Sequence, residues 1–166
     1  MKNEIVNVYL ALGSNLGDKI KYIKTAYMLL ERSDEISIKE KSAFYFSKAY
    51  GGEDLNDFIN TVIKIETTLS PRSLLNYVKN IEKLLGRKKT NPKKYENRPI
   101  DIDILFYGKE KFSKKDLVIP HKDLENRDFV LVPLKEINKE IILPSGKSID
   151  EALKLITNTT KAVEDE

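Results

Sequence analysis

R-P-I-D-I-D-I-L-F-Y, residues Arg98 to Tyr107, is a strongly apolar run with two carboxylates set into it. It has the length of a strand, is rich in Ile, and ends at Gly108. Side chains of a strand alternate between faces, so Asp101 and Asp103 point one way while Ile100, Ile102 and Ile104 point the other. At about 3.3 Å per residue the two acids have Cα atoms roughly 6–7 Å apart. Two negative charges at that distance repel by about 2–3 kcal/mol at an effective dielectric near 20. A strand that needed only burial has little reason to keep both. One or two Mg²⁺ ions bridging to phosphate oxygens would remove the repulsion, since Mg²⁺ takes one or two carboxylates plus phosphates and waters. The alternative is an exposed strand end whose acids pair with Lys or Arg.

The residues just before this strand bear on the choice. From Arg87 to Arg98 the chain reads R-K-K-T-N-P-K-K-Y-E-N-R, six basic residues in twelve with one acid. The run is too polar and too broken by Pro and Asn for a core element, and it reads as a mobile surface loop. Cationic side chains for phosphate oxygens, feeding straight into acids for a metal, are what a polyphosphate site needs. A solvated charge run with no ligand is the competing reading.

Working outward, Ser70-Pro71 starts a helix, with Ser as N-cap and Pro at the first helical position. Leu74, Leu75, Val78, Ile81, Leu84 and Leu85 form its apolar stripe, and Gly86 stops it. Phe58 to Thr68 is β-branched and alternating, a strand. Ile36 to Phe46 reads as another strand, joined to it by a loop over 47–56 that contains Gly51-Gly52. At the start, residues 4–12 form a strand, and Ile20, Ile23, Tyr27 and Leu30 mark an amphipathic helix over 18–32. Between them G-S-N-L-G-D lacks the Gly-Lys-Ser/Thr ending of a Walker loop, and reads as a strand-to-helix turn in preference to a phosphate cradle. After Gly108 come a charged turn at 108–116, an extended Leu117–Pro120, a helical piece near Asp128–Ile137, a short strand and turn at I-I-L-P-S-G-K, and a last helix from Ser148 to about Ile156. The order β-α-β-β-α-β predicts an α+β fold: a ferredoxin-like antiparallel sheet with the two long helices on one face, plus a C-terminal extension. The other face is left for a ligand or for the C-terminal segment. A single domain over 1–160 is expected, with a frayed tail at 161–166.

Composition removes several classes of function. The net charge of +3 is mild, and the positive charge is concentrated around 87–98. The absence of Cys excludes disulfides and thiolate metal sites, and a single His excludes a multi-His zinc site. No signal-peptide pattern and no membrane-length apolar stretch is present, so a cytoplasmic protein is expected.

Three blocks of the sequence resemble a known family. L-A-L-G-S-N-L-G-D, N-R-P-I-D-I-D-I-L-F-Y-G and I-P-H-K-D-L-E-N-R-D-F-V-L-V-P-L-K-E-I resemble 6-hydroxymethyl-7,8-dihydropterin pyrophosphokinase of folate biosynthesis, in that family's order and spacing over about residues 4–150. The resemblance implies transfer of a pyrophosphoryl group from Mg-ATP to the pterin hydroxymethyl, leaving AMP. It implies two Mg²⁺ held by Asp101 and Asp103, with Arg87, Lys89 and Arg98 as the basic catalytic residues. Glu82, Arg87, Arg98, Ile104, His121 and Arg127 are the implied ATP-binding set. Ser47, Tyr50, Phe58, Asn60 and Phe129 are the implied pterin set: two aromatics to sandwich the flat ring and an amide for its donor–acceptor edge. Without the resemblance, His121 reads as a surface or capping residue, Phe58 and Phe129 as core filling, and Glu82 as a solvated helix charge. Some positions depart from the family pattern. Lys89 stands where Arg is usual, Lys48-Ala49 where prolines are usual, Tyr95 about where a Trp is found, and Lys122 replaces a common aromatic.

The implied partners are two small molecules, ATP and the pterin, with no nucleic acid or membrane, and a monomer is expected. No strong general base stands out, and a loose phosphoryl-transfer transition state needs little help from one. Two rivals are a two-metal nucleotidyltransferase and a ferredoxin-like RNA-binding module. The first places its G-S and D-x-D pairs about a dozen residues apart, whereas Ser14 and Asp101 are separated by most of the sheet. The second needs an aromatic-rich stacking motif that these strands lack.

Overall fold

Both long helices begin where a capping side chain satisfies their first free N–H groups. The Asp18 carboxylate accepts from Lys21 N at 3.2 Å, and the Ser70 hydroxyl accepts from Ser73 N at 3.2 Å. In the computed structural model, which describes residues 4–48, 55–87 and 97–163, these helices are α1 (Lys19–Glu31) and α2 (Pro71–Leu84). Around them lie β1 (Val6–Ser14), β2 (Ile36–Lys41), β3 (Tyr45–Ser47), β4 (Phe58–Thr67) and β5 (Asp101–Tyr107). A hairpin follows, of β6 (Phe112–Lys114) and β7 (Leu117–Ile119), then α3 (Asp128–Ile137), α4 (Ile149–Lys154) and β8 (Lys161–Ala162).

The main sheet runs β5-β1-β4-β3-β8, with β2 also paired to β4, and every pairing is antiparallel. The fold is therefore α+β, as expected. One face packs on α1 and α2: Leu10, Leu12, Ile63, Ile65, Ile102 and Ile104 meet Ile23, Leu30, Leu74, Val78 and Ile81. The other face is shared. Val62 and Leu105 pack against Leu131 and Leu134 of α3 and Ile149 and Ala152 of α4, forming a second apolar cluster. The end of this face left open by α3 is where Asp101 and Asp103 lie.

The structure differs from the sequence reading in four places. The strand expected over 36–46 is two strands. Ser42 breaks it by turning its hydroxyl to Thr61 Oγ1 (2.9 Å) and accepting from Val62 N (3.0 Å), so a side chain replaces ladder bonds. The first strand runs on past Leu12: Gly13 and Ser14 stay in register with Asn60 and Ile59, and Gly17, at φ +69°, makes the turn. The charged turn expected at 108–116 contains β6, which pairs with β7. The tail is docked at least to Val163. The buried Asp128 carboxylate accepts from Thr159 N (2.8 Å) and Thr160 Oγ1 (2.9 Å), and Lys161 and Ala162, where fraying is expected, pair with Phe46 and Tyr45.

Candidate active site

Asp101 and Asp103 project from the sheet face opposite α1 and α2, while Ile100, Ile102 and Ile104 are buried behind them. The period-2 reading of this strand therefore holds. β5 pairs with β1, and on its other side Ile102 N donates to the Glu82 carboxylate at 2.8 Å. Glu82 is 3% exposed, which corrects the reading of it as a solvated charge. Burial pushes its carboxyl up and Asp101 adds to this, while Lys79 at 3.3 Å and Arg87 at 2.9 Å oppose it.

The two aspartates differ in how they are compensated. Asp101 accepts a 2.8 Å hydrogen bond from Arg87 Nη1 and lies 3.7 Å from Arg98 Nη1. Asp103 is met, among the described residues, by two contacts at 3.8 Å, to Arg127 Nη1 and to His121 Nε2. Desolvation, and then the charge of Asp101, push its carboxyl up to about 7, although 29% of the side chain stays open to the clefts beside it. Such an acid favours a nearby cation. No group of three or more metal-ligating side chains occurs among the described residues, so two carboxylates are the donor set. That set fits Mg²⁺, which completes its shell with phosphate oxygens and water.

His121 is positioned by its own turn. Its Nδ1 accepts from Asp123 N at 3.1 Å, which places the ring proton on Nε2, facing Asp103. Burial and then Arg127 hold its pKa below the usual range, so the ring is a neutral donor at pH 7.

Two clefts meet at Asp103. One, of about 170 Å³, is lined by Ser47, Phe58, Asn60 and Phe129 together with Arg98, Asp101, Asp103 and Arg127. Four of the five expected pterin residues are thus brought together; Tyr50 and Lys89 lie outside the described residues. Asn60 is 5% exposed and donates from Nδ2 to Ser47 Oγ at 2.7 Å. The Arg127 guanidinium lies 5.6 Å from the Phe129 ring centroid, which orients both. The second cleft, about 200 Å³, is lined by Ile104 and His121 along with Lys79, Lys115 and Lys122. Glu82 and Arg87 line neither cleft and stand behind Asp101.

Sequence reasoning gave no place in the site to Gly13 or to these three lysines. A Cβ at Gly13 would lie 3.0 Å from Asn60 Oδ1 and 3.4 Å from a Phe58 ring carbon, so glycine clears the cleft floor. The signal was the close backbone approach that a strand glycine marks. For Lys115 the signal was hidden inside a hairpin read as a turn.

The site can hold a cation-bound polyphosphate on one side of Asp103 and a flat hydrogen-bonding ring on the other, equipment suited to a two-substrate phosphoryl-transfer enzyme. The sequence matches the family described as 7,8-dihydro-6-hydroxymethylpterin-pyrophosphokinase (HPPK) over residues 9–139. It is 39% identical over 150 residues to the 2-amino-4-hydroxy-6-hydroxymethyldihydropteridine pyrophosphokinase of Haemophilus influenzae, covering 90% of this chain and 92% of that one. To the same-named protein of Aquifex aeolicus it is 45% identical over 140 residues, covering 84% and 85%. The chain belongs to the HPPK family. The solved structure of Plasmodium falciparum HPPK-DHPS, wild type with pteroate, superposes with a TM-score of 0.71 at 16% identity, a likeness of fold alone. That match covers 93% of this chain and 43% of the solved one, so the chain spans less than half of that protein.

Proposed function

We propose that this protein transfers a pyrophosphoryl group from Mg-ATP to the hydroxymethyl oxygen of 6-hydroxymethyl-7,8-dihydropterin, giving the pterin diphosphate and AMP in folate biosynthesis. The observation that carries the proposal is that Asp103 lines both clefts, one walled by aromatics and an amide, the other by lysines. The strand order, with β2 and β3 as two halves of one strand, supports a ferredoxin-like βαββαβ core. We take the protein to act as a cytoplasmic monomer. No helix among the described residues is long and apolar enough to cross a membrane.

Asp101 and Asp103 are the residues that would hold Mg²⁺, two ions in our reading. When bound there, Mg²⁺ neutralises charge on the phosphate oxygens. Phe58 and Phe129 stack the pterin ring, and Asn60, steadied by Ser47, presents its amide to the ring edge. Arg98 and Arg127 line the ring cleft beside Asp101 and Asp103, where they can offer charged hydrogen bonds to the phosphate being transferred, and the neutral His121 lines the lysine-walled cleft. Ile104 lies on the floor of the lysine-walled cleft, in place to contact the nucleoside. Positioning and electrostatics supply most of the rate, because the transferred group needs little covalent assistance. The pterin oxygen attacks the β-phosphorus in line as the bond from the β-phosphorus to the α–β bridging oxygen breaks. The hydroxyl proton is released and AMP leaves. Incubation with Mg-ATP and the hydroxymethyl pterin should release AMP in step with pterin diphosphate; ADP or free pyrophosphate as the product would overturn the assignment.

A further inference from the structure

In the G-S-N-L-G-D stretch that ends β1, Asn15 has no part in the chemistry above, yet it is fully buried and uses both ends of its amide. Asn15 Nδ2 donates to Asn56 O at 3.0 Å and to Asn97 Oδ1 at 2.9 Å. Its Oδ1 accepts from Arg98 N at 2.7 Å. Its main chain joins in: Asn15 N donates to Arg98 O at 3.1 Å, and Asn15 O accepts from Asn56 Nδ2 at 3.0 Å. Asn97 Oδ1 closes the knot by also accepting from Asn56 N at 2.8 Å.

Three stretches remote in sequence are tied at this point. Asn56 and Arg98 lie 41 and 83 residues from Asn15. Asn56 leads into β4, which presents Phe58 and Asn60 to the ring cleft. Asn97 and Arg98 lead into β5, which presents Asp101 and Asp103. Every bond in the knot satisfies a backbone group or a neighbouring amide, and a buried group left unpaired there is costly. The entry segments of the two strands therefore move or settle together.

Granted the pyrophosphokinase activity proposed above, we propose that Asn15 is a positioning residue that couples the two substrate sites, by fixing the entry segments of β4 and β5 to one amide. A ligand held by the β5 acids restrains the knot through β5, and a second ligand held by β4 then docks on a segment tied to the same amide. That is positive coupling through a shared element, and it is reciprocal. Asn97 gives a control. Among the described residues only its Oδ1 enters the knot, so Asn97→Asp keeps the acceptor and Asn97→Ala removes it.

The test is calorimetry of the hydroxymethyl pterin with and without the α,β-methylene analogue of Mg-ATP, which cannot undergo the transfer. The readout is the ratio of the two pterin affinities in wild type, Asn15→Asp, Asn97→Ala and Asn97→Asp. Wild type should show a ratio of about tenfold or more, within the usual range of coupling between sites. Asn97→Ala and Asn15→Asp should bring it to about one to two, with pterin affinity in the absence of nucleotide within about threefold of wild type, and Asn97→Asp should keep the wild-type ratio. Should Asn15→Asp fail to fold, the Asn97 pair decides alone. A wild-type ratio near one, an unchanged ratio in Asn97→Ala, or equal ratios in the two Asn97 variants would overturn the coupling. AMP release by wild type is scored separately, so loss of the coupling and loss of the activity are distinguishable.

Discussion

The two clefts share one acid, Asp103, and share no other wall residue. The ring cleft is made by the ends of β1, β3, β4 and β5 and the start of α3, with Phe58, Phe129, Asn60 and Ser47 on one side and Arg98, Asp101 and Arg127 on the other. The other is made by α2, β5 and the β6–β7 hairpin, and its exposed wall carries Lys115 and Lys122. A flat neutral ring needs shape and a fixed hydrogen-bond edge, which regular strands supply. A polyphosphate needs charge more than shape, and exposed lysines on and just after a small hairpin supply that. Substitutions should therefore sort by cleft, and Asp103 is the position where the sorting should fail.

Asp103→Asn should have the largest effect, because it removes the one side chain in both walls. AMP release should fall on the order of 10³-fold, the scale of losing a main electrostatic element of a transition state. The melting temperature should not drop, since the carboxylate makes only 3.8 Å contacts among the described residues. Retained turnover would remove Asp103 from the shared role. Asp101→Asn sharpens the contrast between the acids. Turnover should fall about 10²-fold, still within the range for one electrostatic element. Here stability should fall too, by about 1–3 kcal/mol in urea unfolding, as Arg87 loses its 2.8 Å partner. Equal stability of the two variants would erase the distinction between a compensated acid and an uncompensated one.

Gly13→Ala tests the ring cleft alone. Its methyl group would press on Asn60 Oδ1 at 3.0 Å, and overpacking of this kind costs about 1–3 kcal/mol. The KM for the pterin should rise about tenfold, with nucleotide affinity unchanged in an equilibrium titration. A matching loss of nucleotide affinity would mean that the clefts are not separately walled.

The same contrast explains which parts were legible in the sequence. The ring cleft sits on strands whose alternation is visible, so Asn60, Asp101 and Asp103 could be placed on faces from spacing, and the resemblance supplied the pterin role of Ser47, Phe58, Asn60 and Phe129. The lysine-walled cleft takes one wall from the β6–β7 hairpin, whose strands of three residues each in a lysine-rich stretch are too short for alternation to register. Glu82 was misread for a related reason. It follows the buried Ile81 on α2, and its burial depends on the β5 backbone docking beside it, which helical periodicity does not report. The tail was misread because its anchor, the Asp128 carboxylate, lies about thirty residues away.

Lys115→Ala is the mildest substitution and bears on the second cleft alone. Lys115 is exposed and acts as a point charge at the cleft wall, with no fixed hydrogen-bond geometry to lose. Affinity for the ATP analogue should weaken about threefold at low salt, an effect of the order expected for one screened surface charge. Raising the salt from about 0.01 M to about 0.15 M shortens the Debye length from roughly 30 Å to roughly 8 Å, so wild type and variant should converge. Pterin affinity should not change at either salt, because the ring cleft has no wall from the hairpin. A salt-independent loss would mean that Lys115 makes a direct, desolvated contact with the nucleotide, and the hairpin would then contribute shape as well as charge.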